Sequence, residues 1–203
     1  MEFKKVKEKV IKVIRGSYCK LFKLNSIGRV QVGKKTIISS KSIISQGNLR
    51  IGNYTKIEAN KKSIRLGEHV TFGDYNHIIV DYSKDSRLFI GNRFSCGDYV
   101  LFGAAGGIKI GDDVIFGQNI RLHAQNHSFD DMNKLIREQG TSELGITIGN
   151  NCWIGSGTVI LDGVTIGDGC VIGANSVVTK SFANNSIIVG NPAVLKRRRG
   201  KNG

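Results

Sequence analysis

Between Ile148 and Val178 an aliphatic residue returns at every sixth position: Ile148, Ile154, Ile160, Ile166, Ile172 and Val178. Glycine follows it at Gly149, Gly155, Gly167 and Gly173. A period of six held this long suits neither a helix nor an alternating strand. It suits a triangular solenoid, whose three short faces make one coil of about eighteen residues. Each aliphatic side chain then points into the prism, and the glycine behind it permits a tight corner.

The rhythm is audible earlier, though looser. Ile27-Gly28, Val32-Gly33, Ile51-Gly52, Leu66-Gly67, Ile90-Gly91 and Ile110-Gly111 repeat it, and Asn or Asp crowds the corners at Asn53, Asn92, Asp112 and Asp113. The pattern breaks over residues 128–145, a polar and charged stretch, and a loop this long inside a compact fold is usually functional. The solenoid is therefore expected over residues 25–180, interrupted by one excursion at 128–145. Residues 181–203 read as a tail with a strand-like Ser186 to Val189, a Gly-Asn-Pro turn and a basic end. Residues 1–24 place Phe3, Val6, Val10, Val13, Ile14, Tyr18 and Leu21 three or four apart among lysines, the pattern of an amphipathic basic helix. Such a helix either packs on the first coil or lies on an anionic membrane surface.

The net charge of +14 sits at the ends. Residues 1–24 carry eight Lys or Arg against two Glu, and residues 180–203 carry six with no acid. Clustered ends of this kind serve solubility or meet an anionic partner: a phosphorylated cofactor, an acidic glycan or a membrane face. Nucleic acid is not expected, because the basic runs are not interleaved with stacking aromatics. No run of eighteen apolar residues and no signal-peptide pattern is present, so the chain is expected in the cytoplasm, with peripheral contact at the inner membrane face as an extension. Cys19, Cys96, Cys152 and Cys170 form no CxxC pair. Cys152 and Cys170 fall one coil apart, where parallel Cβ atoms about 4.8 Å apart are too far for a relaxed disulfide, so packed thiols are expected.

The segments GDDVIFGQNIRLHAQNHSFDD and ITIGNNCWIGSGTVILDGVTIGDGCVIGANSVVTK, with GNPA beyond them, resemble the hexapeptide-repeat acyltransferases, in particular the maltose, galactoside and polysaccharide O-acetyltransferase branch. The resemblance implies a left-handed parallel β-helix, against the usual crossover handedness, a homotrimer, and acetyl-CoA bound in grooves between subunits. It implies that His127 is the base. Imidazole titrates near neutral pH and can take a proton from a sugar hydroxyl as that oxygen attacks the thioester. It implies that Trp153 flanks the pantetheine arm and that the Ser156 amide faces the thioester oxygen. Ala174, Thr179 and Lys180 match further CoA contacts, and Arg197 stands for the basic run Lys196 to Arg199 that offers charge to the 3′-phosphate. The acceptor half departs from the pattern: Gly97 stands where those enzymes have an asparagine. Asp98, Tyr99 and Asn126 are the candidates there. His123 invites a metal, but zinc needs a third histidine on a neighbouring coil, and none is in reach; no metal is expected. The acceptor is expected to be a saccharide, acidic or lipid-linked, in surface-polysaccharide synthesis. An antibiotic or amino-sugar acceptor is the first alternative, and a non-enzymatic scaffold binding acidic glycan is the second.

Overall fold

The computed structural model describes residues 23–40, 42–59, 64–80 and 86–200. The solenoid expected from the six-residue period is present. Three parallel sheets run the length of the chain and form the sides of a prism. Face A begins with Lys23–Ser26 and ends with Thr165–Ile166, and face C runs from Ile37–Ser40 to Val177–Val178. Face B starts at Val30–Val32 and closes with Ser186–Gly190 and Ala193–Arg198. Each coil visits A, B and C in turn, so outside two antiparallel hairpins a strand pairs with its equivalent one coil away and not with its sequence neighbour.

The inward residues of the cleanest repeat, Ile148 to Val178, are each at most 1% exposed. Burying one such side chain contributes about 1.5–3 kcal/mol. In the looser upstream coils aromatic rings make part of the core. Phe72, Phe94, Phe102 and Phe116 pack with ring centroids 5.2 to 6.4 Å apart. Cys96, Cys152 and Cys170 are free and buried, as packed thiols should be. Burial pushes the Cys96 thiol up to about 12, which leaves it a packing group.

Two end segments differ from the sequence reading. The basic helix of 1–24 lies outside the described residues except at its end, where Lys23–Ser26 is a strand of face A. Its backbone pairs with Ser42–Ser45. The basic end is not a free tail either. Ala193–Arg198 turns back antiparallel on Ser186–Gly190 and extends face B.

Candidate functional site

The corner between faces B and C carries a regular backbone device. In each coil one residue takes a left-handed conformation: Lys35, Tyr54, Tyr75, Tyr99, Asn119, Gly157 and Asn175, with φ from 53° to 73°. The N–H of that residue donates to a carbonyl one coil back, as Tyr99 does to Asp74, Asn119 to Asp98, Gly157 to Gln118 and Asn175 to Ser156. The residue just before it has its own N–H capped by a side-chain oxygen one coil on. Lys34 donates to Asn53 Oδ1 (2.8 Å), Asn53 to Asp74 Oδ1 (2.7 Å), Asp74 to Asp98 Oδ1 (2.8 Å) and Gln118 to Ser156 Oγ (3.1 Å).

The cap is missing at Asp98 and again at Ser156. The equivalent of Ser156 one coil on is Ala174, which has no oxygen, so the Ser156 N–H has no hydrogen-bond partner among the described residues. The coils touch here: a Cβ on Gly155 would meet Ala174 N at 2.5 Å. An unpaired backbone donor on an exposed, rigid corner suits a developing oxyanion, because it needs no reorganisation to receive one. Trp153 precedes it on face B, outward and 56% exposed, in register with Ile115 and Val171. These three make an apolar strip beside the free amide.

The other corner of interest, from C to A, carries His127. Face C reaches Arg121–His123, and the chain then leaves the prism. Asn126–His127 pairs antiparallel with Thr141–Ser142, so the long excursion is a hairpin rooted on the coil. Its far end is tied by Gln139, whose side chain accepts from Asp131 N and donates to the Asp131 and Lys134 carbonyls. Its return is held by Asp162, which accepts from Ser142 Oγ (2.9 Å), Leu144 N (3.0 Å) and Gly145 N (2.8 Å). His127 is exposed, and its ring makes no hydrogen bond to a described residue. Phe129, Met132, Leu135 and Ile136 project from the hairpin into solvent, Met132 92% exposed.

Asp162 was not among the residues singled out from sequence, yet three donors depend on it. Asp162→Ala is expected to cost about 2 kcal/mol, since it strands two backbone amides and a hydroxyl. Amide exchange at Leu144 and Gly145 should accelerate at least about tenfold. Unchanged exchange there would show that the hairpin is held by other contacts.

The expected site residues thus divide into two groups within one chain. Trp153, Ser156 and Ala174 lie on face B and the B–C corner, with Asp98 and Tyr99 further up that corner. His127 and Asn126 lie on the C–A side, as do Thr179 and Lys180, exposed just past the last strand of face C. Face C separates the groups. Asp98 serves first as a corner cap, since its Oδ1 accepts from Asp74 N. The C-terminal arginines also have structural work. Arg198 Nη1 donates to Ala183 O, Asn184 O and Ser186 Oγ, Arg199 Nη1 to Gly169 O, and Arg197 Nη1 to Arg198 O. No group of three or more His, Cys, Asp or Glu side chains among the described residues is placed to hold a metal ion. His77 pairs with Glu58 at 2.6 Å, and His123 is half-buried in a small depression with Ala105 and Gln125.

The family model for the bacterial transferase hexapeptide (six repeats) matches residues 145–180. A Dictyostelium discoideum protein named as an acetyltransferase is 44% identical over 116 residues, 56% of this chain and 58% of that one. A Saccharomyces cerevisiae protein named likewise is 33% identical over 147 residues, 70% of this chain and 72% of that one. The galactoside O-acetyltransferase of Escherichia coli is 39% identical over 114 residues, 56% of this chain and 55% of that one. The matches to the Dictyostelium and Escherichia proteins span little more than half the length of those relatives. Among solved structures, the hexapeptide-repeat acetyltransferase of Vibrio cholerae superposes with a TM-score of 0.52 at 31% identity, covering 56% of this chain and 64% of that one. The fold shared with it is the left-handed parallel β-helix that the family resemblance implied.

Proposed function

We propose that this chain, which belongs to the hexapeptide-repeat acetyltransferase family, transfers acetyl from acetyl-CoA to a saccharide hydroxyl as a homotrimer. The observation that carries the reading is the uncapped Ser156 amide beside the exposed Trp153 strip, on a corner where a side-chain oxygen caps the equivalent amide at Lys34, Asn53, Asp74 and Gln118. The galactoside O-acetyltransferase likeness supports a sugar acceptor.

In this reading Trp153, Ile115 and Val171 give the pantetheine arm an apolar wall, and the Ala174 corner lets it approach the backbone. His127 takes the proton of the attacking hydroxyl, and the hydroxyl oxygen forms its bond to the thioester carbon. The Ser156 N–H receives the oxyanion of the tetrahedral intermediate. The carbon–sulfur bond then breaks, and His127 returns its proton to the departing thiolate. No acyl-enzyme is needed, and no metal enters.

The division of the site supports the trimer. His127 and Ser156 sit on different corners of one prism, so a neighbouring copy brings its His127 to this chain's groove. The exposed apolar residues of the hairpin suit burial against that neighbour. With Arg198 and Arg199 bonded to the last coil, Lys180 and Lys196 are the more available cations for the nucleotide phosphates. The basic ends also suit an acidic or lipid-linked acceptor at the inner membrane face, in surface-polysaccharide synthesis.

The test is transfer of labelled acetyl from acetyl-CoA into a panel of neutral and acidic glycans and aminoglycoside antibiotics. Label in a glycan as an alkali-labile ester supports the reading. Label in the antibiotics alone, or alkali-stable amide only, overturns it.

A further inference from the structure

The corner that ends in the free Ser156 amide begins with a stack of tyrosines. Tyr54, Tyr75 and Tyr99 lie one coil apart with centroids at 4.8 and 4.9 Å and planes within 3° and 7° of parallel. All three are exposed, at 45%, 44% and 58%. The far end is closed by Lys35, whose Nζ sits 5.4 Å above the Tyr54 ring. Both faces of Tyr75 are covered by its neighbours. The near end is different: the next corner positions are Asn119 and Gly157, too small to cover the Tyr99 ring. One aromatic face is thus left open, aimed along the prism axis toward Ser156 two coils on.

A shallow groove of about 570 Å³ runs along this corner past that face, spanning three coils and lined by Tyr75, His77, Tyr99, Gln118, Asn119 and Arg121 among others. Two donors at or beside its wall are unpaired among the described residues. The Asp98 N–H has no hydrogen-bond partner among the described residues, because Gln118, its equivalent one coil on, lies with its side chain against Gly97. Lys56 and His77, in register with Arg121 on face C, both bond Glu58, at 2.8 and 2.6 Å. Arg121 makes no ion pair with a described residue, so its charge is available.

We propose that the open face of Tyr99 is the platform for the acceptor's pyranose ring, and that Arg121 pairs with an anionic substituent on that sugar. The inference rests on the saccharide-acceptor reading above and deepens it to an acidic pyranoside. A ring laid on Tyr99 occupies the level of Asn119, about one coil spacing of 4.8 Å from Ser156, so a hydroxyl on its far side faces the oxyanion donor. The ring's C–H face covers apolar aromatic surface, while its equatorial groups meet the donors at the groove wall. Tyr54, Tyr75 and Lys35 hold the platform rigid, which lowers the ordering cost of binding.

The test measures binding directly by calorimetry, with methyl glucuronoside and methyl glucoside as probes and CoA present. Tyr99→Asn removes the ring and keeps the backbone, since Asn119 and Asn175 hold the same left-handed conformation on this corner. It is expected to weaken glucuronoside binding roughly tenfold, and Tyr99→Phe is expected to retain it. Arg121→Gln should reduce the preference for glucuronoside over glucoside to near unity, with CoA affinity unchanged. Absence of glucuronoside binding to the unaltered protein, or equal binding by the unaltered protein and Tyr99→Asn, overturns the platform. A preference that survives Arg121→Gln overturns the acidic assignment. Binding that depends on Tyr99 without any acetyl transfer leaves the platform standing and removes the catalytic reading instead.

Discussion

Replacing His127 with alanine is expected to lower kcat for acetyl transfer by roughly 10²–10⁴-fold, the usual loss when a positioned base is removed. The affinity for CoA should change by less than about twofold, because His127 lies across face C from the Trp153 strip of its own chain and would meet only the reacting end of the donor in a neighbour's groove. The substitution is cleanly interpretable for a structural reason. His127 is held through its backbone, paired with Thr141 in the hairpin, while its exposed ring has no bond to a described residue. Alanine therefore removes the imidazole and leaves the hairpin's anchors, Asp162 and Gln139, in place. Exposed truncations of this kind usually change stability by less than about 0.5 kcal/mol. Turnover near that of the unaltered protein would end the assignment of His127 as base. Loss of CoA binding together with turnover would make it a donor-site residue.

The free ring also bears on what the hairpin does. A catalytic imidazole is normally oriented by a third group, which fixes its tautomer. Among the described residues of one chain no such group touches His127, and in the proposed reading a neighbouring copy or the substrate supplies it. Among the described residues, the hairpin that carries His127 is also the segment with the most exposed apolar side chains, Phe129, Met132, Leu135 and Ile136. Burial of that surface would fix the base in the step that completes the site.

How much of this was legible depends on which physical signal a residue leaves in the chain. The prism was legible because its inward positions must be aliphatic once per face, and that demand writes a period of six into Ile148 to Val178. The hairpin was legible as a break in the same period. Asp162 was not, because a surface aspartate in Leu-Asp-Gly resembles any corner residue until the returning loop is seen to rest on it. The structural work of Arg198 and Arg199 was hidden too, since charge alone does not tell a phosphate contact from a carbonyl cap. The tyrosine stack is the instructive case. Its signal stands in plain view as Gly52-Asn53-Tyr54, Gly73-Asp74-Tyr75 and Gly97-Asp98-Tyr99. Spacings of 21 and 24 residues obscured it, because bulged coils break the eighteen-residue register that would have stacked the three. Tyr99 was picked out as a hydroxyl contact, and only the stacked geometry turns attention to its ring face.

The division of the site between two corners leads to the second large effect. Ala174→Trp places a bulky ring on an exposed corner, in the groove assigned to the pantetheine arm, and should abolish transfer while leaving His127 intact. Alone, the Ala174→Trp and His127→Ala proteins are each expected to be inactive. Refolded together in equal amounts, they should recover about a quarter of the activity of the unaltered protein, because in a randomly mixed trimer each interface has that chance of pairing an intact base with an intact groove. The recovery is a matter of counting and does not depend on the acceptor's identity, so any substrate that supports turnover reads it out. Recovery of nothing would place base and groove in the same chain, contrary to the separation across face C. It would then require the hairpin to swing His127 around its own prism, which the three Asp162 hydrogen bonds at the hairpin's base oppose. Mixing without refolding is the control: if trimers exchange slowly, activity should appear only after the subunits have been separated and reassembled.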